Sequence, residues 1–115
     1  MLNSTYQQIK PYSKVLLNSF VKKYCGLSLI TLSEHGIYAT DHNTSSYAKA
    51  HAREITDVSG AGDTVIATAT LCYISGASVE QIAKISNIAG GMVCEKPGVV
   101  SVIHKDLLKE VKELL

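Results

Sequence analysis

Tryptophan is missing from this 115-residue chain, which also holds just one phenylalanine, two prolines and three cysteines. No apolar run approaches the roughly 18 residues that a membrane-spanning helix needs, which excludes that class. The opening MLNSTYQQIK lacks an apolar h-region, so no secretory signal is expected. An excess of one charge is lacking too. With 11 Lys+Arg against 10 Asp+Glu, the net charge of +1 gives no electrostatic footprint for nucleic acid or an anionic membrane. Cys25, Cys72 and Cys94 show no CxxC spacing and sit among apolar residues, which reads as reduced, structural thiols in a cytoplasmic protein. Internal repeats, low-complexity tracts and linkers are also missing. What remains is an ordinary globular composition, 46% hydrophobic and 18% charged, which excludes disorder. A chain this long fits one domain that buries roughly 65% of its unfolded surface.

Pro11 separates a polar start from a helix expected over Tyr12–Tyr24, where Val15, Leu16, Phe20 and Val21 recur at helical spacing. Gly26 stops it. Leu27–Leu32 reads as a buried strand, Ser33–Gly36 as a turn and Ile37–Thr40 as renewed extended structure. A second turn follows at Asp41-His42-Asn43, and Ser45–Thr56 is expected to hold one or two more strands. From Gly60 the pattern becomes helical. Ala61–Ser75 is apolar nearly all round and predicts a helix buried on most sides, ended by Gly76. Ser78-Val79-Glu80-Gln81 has the form of a capping box. The helix it opens carries Val79, Ile82, Ala83, Ile85, Ala89, Met92 and Val93 on its buried side, while Glu80, Lys84, Asn87 and Gly91 share another. Pro97-Gly98 breaks it. Val99–Val102 is expected as a short strand, and a final amphipathic helix carries Leu107, Leu108 and Val111. This is an α/β unit.

One segment carries chemistry: Asp57-Val58-Ser59-Gly60-Ala61-Gly62-Asp63-Thr64, where extended structure gives way to helix. Small residues there let an anion approach the backbone, and first-turn N–H groups have no intrahelical acceptor. With the helix dipole they make an anion site suited to a transferring phosphoryl group. Asp63 sits in the first turn, where a carboxylate stays ionised and can accept the proton of an attacking hydroxyl. Spacing alone leaves a plain structural turn equally open, because Gly-x-Gly before a helix is common and an acid in the first turn stabilises any helix. Two phosphate motifs are excluded. No Gly-x4-Gly-Lys-Ser/Thr occurs, and Val65 stands where a dinucleotide fingerprint needs its third glycine. His35, His42, His51 and His104 show no metal-ligand spacing.

The whole string resembles the C-terminal signature of the PfkB, or ribokinase-like, carbohydrate kinases: an Asp, two variable residues, then Gly-Ala-Gly-Asp. Upstream, Leu29–Gly36 (LITLSEHG) is similar to that family's strand followed by Thr-x-Gly-x-x-Gly, with Ser33 replacing the first glycine. Thr-x-Ser-Glu-x-Gly together with Asp-Val-x-Gly-Ala-Gly-Asp-Thr-Val-Ile is most like the heptose-7-phosphate kinases of ADP-heptose synthesis. Asn87-Ile-Ala-Gly-Gly and Lys96-Pro97-Gly98 look like that group's Asn-Ala-Ala-Ala-Gly and Lys-x-Gly. Thr68 departs from the broad family's Ala or Gly. The resemblance covers about Leu27–Val102.

It implies the C-terminal part of a three-layer α/β/α fold, with short strands and three to four helices. Residues 1–115 would form the nucleotide-binding and catalytic portion, and the family's N-terminal sugar-binding portion has no counterpart in them. Asp63 would be the general base. The backbone of Gly60, Ala61 and Gly62 would form the anion hole. Ser33, Glu34 and Gly36 would lie along the nucleotide and Asn87 near the adenine; each also reads as an ordinary turn or surface residue. A monovalent cation such as K+ is expected beside Asp57, Ser59, Gly98 and Ser101. Mg2+ would arrive with ATP or ADP, since no metal-ligand cluster stands out. The implied activity is phosphorylation of a sugar or sugar phosphate, with the sugar site supplied only by a full-length protein. This chain alone is expected to be inactive. The alternative is a non-catalytic nucleotide-binding or self-associating fragment, pairing through an exposed sheet edge.

Overall fold

The computed structural model describes residues 26–41, 43–51 and 53–114, together with Ser19 and Lys23. Apart from those last two, both helical, the helix expected over Tyr12–Tyr24 lies outside the described residues. Strands β1 (Leu27–Thr31), β2 (Ile37–Asp41) and β3 (Ser45–Ala48) form an antiparallel sheet in the order β1-β2-β3. Register places Leu29 opposite Ala39 and Ile37 opposite Ala48. Because side chains alternate across a strand, Ile37, Ala39 and Ala48 share one face, and Leu27 and Leu29 pack against it. Tyr38 and Thr40 point the other way and are buried as well. The middle strand is therefore covered on both faces, as a layered α/β fold requires.

Both hairpin connections are made locally. Residues 33–35 form one turn of 3-10 helix, closed by the amide of Leu32 donating to Gly36 O at 2.8 Å. Tyr47 adds its hydroxyl, which donates to His35 O. At the second turn the Asp41 carboxylate accepts the amides of Asn43 and Thr44, at 2.8 and 2.7 Å.

Helix α1 (Ala61–Ile74) closes in a Schellman arrangement, with the Ala77 amide on Cys72 O and the Gly76 amide on Tyr73 O. Helix α2 (Val79–Cys94) opens with the expected capping box, in which Ser78 and Gln81 exchange hydrogen bonds of 2.9 and 3.2 Å. Its buried residues Val79 and Ala83 meet Val65 of α1 and the apolar sheet face, which makes it the central helix of the core. Helix α3 (His104–Leu114) packs on α2. Cys72 and Cys94 are free thiols whose pKa burial pushes up, in keeping with structural cysteines.

One expectation is narrowed and two are corrected. Beyond Ala48 the chain leaves the sheet, because α2 takes its backbone groups: Asn87 Nδ2 donates to Lys49 O, and Cys94 O accepts the amides of Thr56 and Asp57. Ser45–Ala48 is therefore one of the one or two strands expected there, and residues 49–51 and 53–60 are irregular and form no second one. Val99–Val102 forms no strand either; the Gly98 amide is bound to the Asp57 carboxylate and Val99 is exposed. Lastly, α1 is not buried on most sides. Only Val65 and Ala69 are buried, while Ile66, Leu71 and Ile74 are 66%, 67% and 74% exposed.

Candidate active site

The turn that launches α1 is held by one carboxylate. Asp57 Oδ1 accepts the amide and the hydroxyl of Ser59 at 2.9 and 2.7 Å, and Oδ2 accepts the Gly98 amide at 3.0 Å. The Ser59 hydroxyl, then the Ser59 and Gly98 amides, hold this carboxyl below the ordinary aspartate value. Asp57 thus joins the turn to the loop after α2. Gly60 caps the helix in the left-handed region at φ 76°, and a Cβ there would press on Val99 at 3.1 Å. The positive φ is what favours glycine there, since the exposed Val99 side chain can yield. The Ala61 amide donates to Val58 O and that of Thr64 to Gly60 O, so among the described residues the amides of Gly62 and Asp63 keep no partner. These two donors open at the positive end of α1, beside the exposed Asp63 carboxylate, and nothing crowds Gly62.

The candidate nucleotide residues converge on another short stretch of backbone. Gly36 (φ 106°) lies so close to Ala48 O that a Cβ would collide with it, and Ala50 N is 2.9 Å from the same point. Asn87 is tied to the neighbouring Lys49 carbonyl at 2.9 Å. Its side chain is half-buried. Ser33 and Glu34 stand exposed on the adjoining turn. The Glu34 carboxyl is lowered by its own backbone amide, then by the Ser33 hydroxyl and by His35.

The candidate residues thus fall into two groups, Asp57–Gly60 with Gly98, and Gly36 with Asn87. Lys49–Thr56 connects them. Ser101 joins neither group; it is exposed and lines a cavity of about 550 Å³ with Arg53, Glu95 and Glu110. For a monovalent cation the Asp57 loops are suitable in kind, offering a carboxylate and backbone carbonyls, the oxygen donors that hard cations prefer. No cluster of three or more His, Cys, Asp or Glu capable of holding a metal occurs among the described residues.

Arg53 was not anticipated. Its side chain is 9% exposed, with Nη1 at 2.6 Å from Glu95 Oε1 and Nη2 at 2.5 Å from Glu110 Oε2. Burial acts to lower its pKa, and the hydrogen bonds and charges of Glu110 and Glu95 outweigh that, leaving it raised. The available signal was its being the chain's only arginine.

A pfkB family carbohydrate kinase domain matches residues 12–106, and so covers both groups. The chain belongs to the pfkB family of carbohydrate kinases. Among relatives, the bifunctional protein HldE of Helicobacter hepaticus is 39% identical over 93 residues, which cover 79% of this chain and 19% of that one. HldE of Acidiphilium cryptum is 42% identical over 87 residues, covering 76% and 18%. Among solved structures, the adenosine kinase of Sinorhizobium meliloti superposes with a TM-score of 0.72 at 26% identity, covering 89% of this chain and 31% of that one. Phosphofructokinase-2 of Escherichia coli, solved in complex with potassium, reaches 0.81 at 19% identity, covering 99% and 36%. The fold is that of the ribokinase-like sugar kinases. This pfkB chain spans about a fifth of the length of these curated relatives and about a third of these solved kinases.

Proposed function

We propose that this chain is the nucleotide-binding and phosphoryl-transfer portion of an ATP-dependent carbohydrate kinase acting on a sugar or sugar phosphate of the heptose-7-phosphate kind. One observation carries the reading: the open Gly62 and Asp63 amides at the start of α1, beside an exposed carboxylate, within a pfkB-family sequence. The open amides of Gly62 and Asp63 bind the transferring phosphoryl group, the Ala61 amide being taken by Val58 O, and the Asp63 carboxylate accepts the proton of the attacking hydroxyl. Mg2+ carried by ATP neutralises phosphate charge when bound. Ser33, Glu34 and Gly36 line the nucleotide, and Asn87, oriented by its bond to Lys49 O, stands near the adenine. Asp57 and Ser59, with the Gly98 loop, hold a monovalent cation such as K+; Ser101, which lines a different cavity, is left out of this set. The heptose assignment rests on the Thr-x-Ser-Glu-x-Gly string and on about 40% identity to the HldE proteins. Such a kinase works in the cytoplasm, where ATP is supplied.

Turnover by the chain alone is not expected, because the family's sugar-binding portion must position the acceptor and positioning is most of this catalysis. A coupled ADP-release assay on a kinase domain completed with that portion tests the reading. Transfer to a heptose phosphate supports it, and nucleotide binding without transfer to any sugar overturns it. A second reading, a self-associating fragment without catalysis, is favoured by the exposed Ile66, Leu71 and Ile74 on α1. Analytical ultracentrifugation separates the two readings.

A further inference from the structure

One buried charge has no part in the chemistry above. Arg53 forks between Glu95, just past the end of α2, and Glu110, in α3. It lies against Gly91, where a Cβ would come within 2.5 Å of its Nε, so α2 carries a hollow that admits it. A guanidinium can bridge two carboxylates in this way; an ammonium is a point charge and cannot reproduce the fork. Three and four residues on, Thr56 and Asp57 donate their amides to Cys94 O at 2.8 and 3.1 Å, and Cys94 immediately precedes Glu95. The fork and these two bonds clamp the same junction from both sides. Asp57 leaves that junction to hold Ser59 and Gly98.

We infer that Arg53 is a positioning residue for the anion-binding turn, and that Glu110 recruits the last helix to the same task. The Arg53–Glu95–Glu110 cluster fixes where the Asp57–Asp63 backbone stands relative to the Gly98 loop. The consequence for phosphate rests on the kinase reading, whereas the positioning itself can be observed without nucleotide.

The test uses the whole chain with Arg53→Lys and Glu110→Gln; the second keeps hydrogen-bonding capacity should the first fail to fold. Amide exchange at Thr56, Asp57 and Gly98 should rise about tenfold in either variant, while Val65 and Ala69 in α1 keep their protection. Calorimetry should show Mg-ADP affinity falling about tenfold with adenosine affinity unchanged, because only the phosphate end is displaced. Unchanged exchange at the three amides, an equal rise throughout α1, or equal loss for ADP and adenosine would overturn the inference. If the unsubstituted chain binds neither ligand, the kinase reading fails, and the exchange result alone decides the role of Arg53.

Discussion

Ser33 adopts φ 54° at the position where the ribokinase-like pattern carries a glycine. A side chain in that region costs about 1–2 kcal/mol, partly offset by its lower unfolded-state entropy. Ser33→Gly should therefore raise stability by roughly 0.5–1 kcal/mol in denaturant titration. Gly36→Ala should do the reverse by roughly 2–4 kcal/mol, since it combines a positive φ with a collision against Ala48 O. In a completed kinase domain, Asp63→Asn should lower kcat by about 10²–10⁴-fold with little change in nucleotide affinity, because only the proton acceptor is lost. Asp57 adds a pH dependence. Its folded pKa lies below the ordinary value. Its network is therefore complete above the ordinary aspartate range and is lost as pH falls through the lowered value. Thermal melts in acid should show that limb, and Asp57→Asn should remove it. At this scale the turn that launches α1 was legible as a helix start because Asp57, Ser59 and Gly60, which shape it, are close together in sequence. Arg53 was not, since its partners are 42 and 57 residues away along the chain.

Elements were legible where their ends are closed by neighbours in sequence. The capping box of α2 and the glycine at the end of α1 act within a few residues, so pattern and structure agree. Ser78→Ala should cost about 1 kcal/mol, read as a lower melting temperature. Elements whose ends depend on remote groups were legible in part, as with the single strand Ser45–Ala48, or not at all. Ser45–Thr56 has strand composition, yet Asn87 and Cys94 on α2 capture its backbone after Ala48. Val99–Val102 has a strand's apolar run, yet it forms no strand, and the Gly98 amide at its start is bound to the Asp57 carboxylate. Periodicity reports which residues are apolar and is silent about which edge remains to pair with.

For the whole molecule, the apolar circumference of α1 promised burial that its neighbours here do not supply. The chain spans about a third of its solved kinase relatives, and Ile66, Leu71 and Ile74 stand exposed. Exposed apolar side chains grouped on one helix favour association. Sedimentation should show a concentration-dependent oligomer that Ile74→Lys weakens; a monomer at high concentration would remove the self-associating reading. No helix among the described residues is long and apolar enough to cross a membrane. The central claim concerns the phosphate-handling end of a kinase, and calorimetry of the chain with ADP and Mg2+ addresses it most directly. The account predicts saturable binding of one nucleotide per chain, weakened when Asp57 is replaced by alanine. Absence of saturable heat, or binding indifferent to that substitution, would contradict it.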